Sequence, residues 1–409
     1  MLRKLKEKYW DFANRREMES RMALPQNQAF AAHVRNERDL VMAAANGQVE
    51  DPQQRLEAAV DWLLQAQSRT PDGGVSQGYF PITTEEGWKA SYPETTGYII
   101  TTLLRIARRD QREDLAEAAL RMADWEIDVQ MSSGAVQGGV VCPPEQQSAA
   151  AFNTGMVVDG WVSAWEHSGE DRHLQAALRG ARFLAADLND EGFFRTNGDY
   201  VHGDAVKTYT CLCAWAMYRA GNAADDDALR SAAVRSIEAA LRQREDNGWF
   251  RNNCLNLSHI PLTHTIGYAL QGIFEVGVLA GRADFIDAVR HTLDGALSSL
   301  QDNGYLAARL DCNWQPQAEH VCLTGSVQLA IICFRLAEEF GEEQFVDAGT
   351  RLLGFVKATQ LMACDNESMV GAIPGSFPLL GEYMMAGYPN WATKYYIDAL
   401  MLKQALDQR

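Results

Sequence analysis

The chain has 409 residues, 47% of them hydrophobic and 22% charged, a globular composition with room for a large core that excludes a disordered chain. Its net charge of −17 excludes the clustered cations that nucleic-acid phosphates demand and suits a neutral or modestly charged substrate. No apolar run reaches the roughly 18 residues of a membrane-spanning helix, and the eight cysteines fall mostly in apolar helical patterns (Cys211, Cys213, Cys333), as reduced core residues of a cytoplasmic protein do.

In chain order, the opening MLRKLKEKYWDFANRREMESRM is charged throughout and lacks an apolar signal core. Arg3, Lys4, Lys6, Lys8, Arg15 and Arg16 interleave with Leu2, Leu5, Tyr9, Trp10 and Phe12. This spacing predicts a helix packed on the domain through its apolar stripe; peripheral contact of residues 1–22 with anionic lipid is the alternative. Residues 1–50 read as a helical N-terminal extension and residues 51–409 as one domain.

Two kinds of helix then alternate. The first kind is polar-faced and amphipathic: RLEAAVDWLLQAQ, DLAEAALRMADWEIDVQ, HLQAALRGARFLAADL, ALRSAAVRSIEAALRQR, DFIDAVRHTLDGALSSLQ and FVDAGTRLLGFVKATQ. Most of these run into a glycine turn (PDGGV, SSGAV, DEGFF, DNGWF, DNGYL). A loop follows, then a more apolar helix. The apolar helices align on Thr96, Thr154, Thr210, Thr265 and Thr324, with Ala392 in the threonine's place in the sixth, at intervals of about 55 to 68 residues. Six such pairs predict an all-α (α/α)6 toroid, an inner ring of apolar helices inside an outer ring of amphipathic ones.

In that arrangement the inner-helix N-termini converge on one cavity, their positive dipole ends facing it. The residues there differ from copy to copy. Tyr92, Thr95, Asn153, Tyr209, Tyr268, Trp314, Tyr388, Trp391, Lys394 and Tyr395 are the expected substrate-binding set, aromatic faces and hydrogen-bonding groups suited to sugar rings and hydroxyls. Glu94, His264, His320 and Asp159 are the candidate acid/base residues, Asp159 because a charge inside an apolar helix needs a partner or a cavity. Capping is the competing explanation for the threonines and Glu94. The loops add Glu85, Glu86, Trp88 and Lys89; Asp199, Tyr200, His202 and Asp204; Arg309, Asp311 and Glu319; and Ser376 and Tyr383.

Several chemistries fit these residues. Glycoside hydrolysis needs two carboxylates about 5–10 Å apart, drawn from Glu94, Asp159, Asp204, Asp311 and Glu319. Epimerisation or β-elimination at a uronate needs a base, an acid and a group that neutralises the carboxylate, which tyrosines, the two histidines and Lys394 or Arg309 supply. No cofactor is expected. A zinc-dependent cyclase or transferase site would draw on His264, His320, Cys322, Cys254 and Cys312, but no CxxC or HExxH occurs. A terpenoid cyclase lacks its DxDD acid motif, since Asp225, Asp226 and Asp227 read as a helix start. A non-catalytic glycan-binding or scaffold toroid is the competing class.

The segments DGGV…GYF, SYPETTGYIITTLL, HVCLTGSVQLAI and AIPGSFPLLGEYMMAGYPNWATKYYIDAL resemble a family of (α/α)6 proteins encoded in bacterial exopolysaccharide and O-antigen clusters. The likeness covers about residues 55 to 405. The family is often labelled prenyltransferase-like or polysaccharide-biosynthesis, and its wider relatives are six-hairpin glycosidases, uronyl C5-epimerases, lyases and sugar 2-epimerases. The resemblance implies a cytoplasmic or membrane-peripheral protein acting on an oligosaccharide or polysaccharide. It carries over no catalytic residues, and the histidine pattern of the sugar 2-epimerases is not apparent.

Overall fold

A computed structural model describes residues 16–46, 51–82, 87–198 and 206–409. Glu85, Glu86, Asp199, Tyr200, His202, Asp204 and residues 1–15 lie outside the described residues. An extension helix α1 (Gln28–Asn46) precedes the domain. Then come the outer helices α2 (Pro52–Ser68), α4 (Glu113–Val129), α6 (Asp171–Asp187), α8 (Asp227–Leu241), α10 (Ala283–Leu297) and α12 (Val346–Thr359). Between them run the inner helices α3 (Pro93–Asp110), α5 (Ala151–Ser168), α7 (Cys211–Ala223), α9 (Thr263–Ala280), α11 (Leu323–Phe340) and α13 (Asn390–Asp407). Each inner helix packs on the next, and α13 returns to α3, so the ring closes as the (α/α)6 toroid expected. Asp226 caps α8 by accepting the Ala228 and Leu229 N–H groups, and Asp51 caps α2 through Gln53.

The glycine turns explain how the outer ring keeps its spacing. Gly304 has φ +83°, and a Cβ there would lie 2.1 Å from the Arg351 carbonyl oxygen on the next outer helix. Only a residue with neither left-handed strain nor a side chain fits. The same approach recurs from Gly134 onto Arg179, Gly192 onto Arg235, Gly248 onto His291 and Gly371 onto Ala58. The last of these joins the sixth unit to α2.

The aligned threonines are part of this joint. Thr96 and Thr154 accept the N–H of Val75 and Val136, each two residues past its turn glycine, at 3.0 and 2.8 Å. In the sixth unit Thr393 accepts from Ile373 at 3.0 Å. The threonine of that unit is therefore Thr393, and the register that placed Ala392 there is off by one. An extra residue before α13 hides this in the sequence.

At the end where the inner helices begin, two short antiparallel pairs tie the loops together. β1 (Gly78–Tyr79) pairs with β4 (Tyr388–Pro389), and β2 (Val321–Cys322) with β3 (Ser376–Phe377). The first pair links the first loop to the sixth. The extension lies on this end: Glu37 accepts the Leu379 N–H at 2.7 Å, and Arg21 donates to the Ile82 carbonyl at 3.1 Å. Among the described residues no helix is long and apolar enough to cross a membrane.

Candidate active site

Glu94 stands in the first turn of α3, where Pro93 begins the helix. It is largely buried, it has no hydrogen bond or ion pair among the described residues, and burial pushes its carboxyl pKa up to about 8. The favourable helix dipole at this position is thus outweighed by loss of water. Five tyrosines feel its charge: Tyr98, Tyr209, Tyr268, Tyr383 and Tyr395. Burial raises all five phenols, so their hydroxyls are protonated donors at neutral pH.

The rings make a continuous aromatic wall drawn from α3, α9, α13 and the sixth loop. Tyr98 meets Tyr395 at 5.6 Å between centroids, Tyr395 meets Tyr268 at 6.1 Å, and Tyr268 meets His264 edge-on at 5.6 Å. His264 lies 4.6 Å from Tyr383, and Phe152 bridges Tyr209 and Tyr268. The Tyr98 hydroxyl is buried without a hydrogen-bond partner among the described residues, an orphaned donor of the sort a ligand or water satisfies. The Tyr383 hydroxyl accepts from Trp391 Nε1 at 2.8 Å.

His264 is neutral. Burial, with Arg309 adding its repulsion, pulls its pKa down to about 3. Its Nδ1 lies 3.8 Å from Cys322 Sγ, whose thiol burial holds up at about 12. Arg309 grips Glu382 with two hydrogen bonds, one at 2.9 Å from Nε, and donates to the Ile260 carbonyl. Burial works against the Glu382 charge, but Arg309 keeps its pKa low and His320 contributes to that. His320 is half-buried beside Gly381, where a Cβ would sit 2.9 Å from its own. It belongs to this Arg309–Glu382 rim.

The other sequence candidates divide. Thr95 accepts from Asn390 Nδ2 at 2.8 Å and so joins α3 to α13, and Asn153 donates to the Gln137 carbonyl at 3.0 Å and so ties the second loop to the ring. Tyr92 is the buried residue before α3, and Tyr388 is buried in β4. Lys394 lies 4.0 Å from the centre of the Tyr395 ring, but Asp398, one turn on, takes its charge at 2.7 Å.

Two candidates stand elsewhere. Trp314 is in the outer layer, meeting Trp249 edge-on at 5.1 Å between centroids, with its indole N–H on the Asn247 carbonyl at 3.0 Å. Asp159 is bound by Thr101 at 2.7 Å and by Arg219. Burial would raise its pKa, and Arg219 overcomes that and lowers it. It is a paired structural carboxylate deeper in the barrel. Residues the sequence did not single out include Glu382, Asp398 and Arg219. Only Asp398 left a signal, its four-residue spacing from Lys394. Among the described residues no group of three or more His, Cys, Asp or Glu is arranged to hold a metal ion.

No family model matches the chain, and no curated protein matches it. Solved structures match over most of its length. An unsaturated glucuronyl hydrolase specific for heparin is 14% identical, with TM-score 0.69, covering 88% of this chain and 98% of its own. The unsaturated glucuronyl hydrolase of Bacillus sp. GL1, responsible for glycosaminoglycan degradation, is 14% identical, with TM-score 0.67 and coverage of 86% and 96%. Cellobiose 2-epimerase from Bacillus thermoamylovorans is 10% identical, with TM-score 0.64 and coverage of 91% and 99%. The likeness is one of fold: the chain has the six-hairpin toroid of these enzymes.

Proposed function

We propose that the protein is a carbohydrate-processing enzyme that moves a proton to or from a uronate ring of a sugar chain, at the N-terminal end of its inner helices. The observation that carries this is Glu94, a largely buried carboxyl with pKa near 8 and no partner among the described residues, set among tyrosine hydroxyls. Such an acid holds its proton at neutral pH and delivers it inside a site of low dielectric. Tyrosine donors stand ready for an oxyanion, with His264, a weak base at a pKa of about 3, as their neutral neighbour.

A carboxyl of raised pKa among tyrosine hydroxyls suits epimerisation or β-elimination at a uronate, where the ionised fraction of Glu94 takes the C5 proton and a tyrosine hydroxyl supplies the acid. It also suits hydration of an unsaturated uronyl end, where the enol-ether carbon C4 gains a proton and water adds at C5. Among the described residues, which leave out Asp204, hydrolysis by a carboxylate pair is less well served. Asp159 and Glu382 are held by Arg219 and Arg309, Asp311 closes its own turn through the Asn313 and Gln315 N–H groups, and Glu319 is exposed. The fold shared with glucuronyl hydrolases and a sugar epimerase supports a sugar substrate. A role in bacterial surface-polysaccharide biosynthesis extends this proposal on the resemblance of residues 55–405; a cytoplasmic setting rests on the cysteine pattern, with membrane contact of residues 1–22 as the alternative to their packing on the domain.

The test is incubation in D2O with saturated and with unsaturated polyuronate oligosaccharides, read by mass spectrometry. Deuterium at C5, a new unsaturated end, or uptake of water by the unsaturated substrate would each identify its reaction. Glu94→Gln should abolish that change while sugar binding persists. Binding of sugar with no turnover by either protein would make this a glycan-binding toroid instead.

A further inference from the structure

The opposite end of the barrel, where α3, α5, α7 and α9 finish, holds a cavity of about 530 Å3. That is within the roughly 300–1,000 Å3 typical of small-molecule sites, and the proton-transfer chemistry makes no use of it. Its walls carry Trp165 and Trp215 and three arginines, Arg105, Arg108 and Arg219.

The arginines are in different states. Arg219 is fully engaged: it binds Asp159, Ser163 Oγ at 3.1 Å and Glu166 at 2.7 Å, and its guanidinium lies 5.8 Å from the Trp215 ring centre. It fixes the floor. Arg105 and Arg108 are exposed at the wall and have no hydrogen bond or ion pair among the described residues. Arg108 is in the last turn of α3, where its charge answers the negative helix end. Arg105 stands a turn deeper, beyond that explanation. It also lines a narrow void that continues from the cavity toward Tyr98 and Tyr395.

We propose that this cavity is a second ligand site that binds a small carboxylated sugar. The carboxylate would sit on the Arg105 and Arg108 guanidinium groups, whose planar forks match it. The ring face would lie against the indoles, which offer broad apolar surface to a sugar's C–H face. Ser163 and Asn222, also on the wall, provide polar edges for hydroxyls. A neutral sugar leaves Arg105 and Arg108 without a direct partner among the described residues, and inorganic phosphate leaves both tryptophans unused. Arg105 acts on Asp159 only at a distance, and the wall's carboxylates, Glu166 and Glu275, are taken by Arg219 and Arg335, so two cations beside two indoles mark a local preference that the net charge of −17 opposes. The site stands whether or not the other end is catalytic.

The test is isothermal titration of the full chain, with intrinsic tryptophan fluorescence as a second readout, using D-glucuronate, D-glucose and inorganic phosphate as probes. Saturable glucuronate binding is expected, with fluorescence changed and with glucose and phosphate each about ten-fold or more weaker. Arg105→Ala should weaken glucuronate by about ten-fold or more at unchanged melting temperature, Arg105→Lys by less. Glu94→Gln, at the far end, should bind as the parent does. No saturable glucuronate binding, an Arg105→Ala/Arg108→Ala variant that binds as the parent, phosphate as tight as glucuronate, or loss of binding in Glu94→Gln would each overturn the proposal.

Discussion

Replacing Glu94 by glutamine separates its burial from its chemistry. In the folded chain burial pushes the carboxyl pKa up to about 8, from the 4.5 of an ordinary glutamate. Between those values the folded state holds a proton that the unfolded state releases, so stability falls as pH rises through that window. At 1.36 kcal/mol per pKa unit the wild type loses roughly 3.5 kcal/mol between about pH 5 and about pH 8 through this group alone. Glutamine has no proton to lose and keeps nearly the same shape. The melting temperature of Glu94→Gln relative to wild type should therefore rise by about 4 °C from about pH 5 to about pH 8, on roughly 2 cal/mol/K of unfolding entropy per residue. Calorimetry across that range measures it, other titrating groups cancelling in the difference. A gap that does not change with pH would mean that Glu94 ionises in the ordinary carboxylate range, and the general-acid assignment would fall with it. Turnover by the wild type should decline as pH rises through about 8, since the acid must be protonated. It should show no acid limb near 6.5, because His264 stays neutral down to about 3.

Gly304→Ala, which forces a Cβ onto the Arg351 carbonyl at positive φ, should destabilise by about 3 kcal/mol or more in denaturant titration. Gly354→Ala, on α12 with no atom within 4 Å of the new Cβ, should stabilise by about 0.5–1 kcal/mol. Asp159→Ala takes from Arg219 one of its two carboxylate partners and leaves Glu166, and is expected to cost about 1–3 kcal/mol by the same assay. Glu37→Ala removes the acceptor of the Leu379 N–H at a cost of about 1–3 kcal/mol, and amide exchange at Leu379 should speed up. Glu37→Gln, which keeps an acceptor oxygen, should leave that amide protected.

The helices, their turns and the six-fold count could be read from the sequence because each arises from neighbours in the chain. Apolar residues three and four apart define a buried stripe, and a glycine between polar residues supplies a backbone angle that other residues avoid. Six units with alternating polar and apolar helices then leave a closed double ring as the way to bury every stripe. The gathering of Glu94, Tyr209, Tyr268, His264 and Tyr395 at one end follows from that same repeat. Which of these groups carry charge was decided only by tertiary structure. Glu94 keeps its proton because burial takes water from it, in a setting it shares with tyrosines of α3, α9, α13, the turn before α7 and the sixth loop. Asp159 has no such freedom, because Arg219, 60 residues away, binds it. Trp314 turns to the outer layer because Trp249 and the Asn247 carbonyl receive it there. The cavity lined by Arg105 and Trp215 is made by the ends of four helices and leaves no trace in any one of them. Periodicity is a local property of the chain, whereas desolvation and ion pairing are summed over elements that only the closed ring brings together.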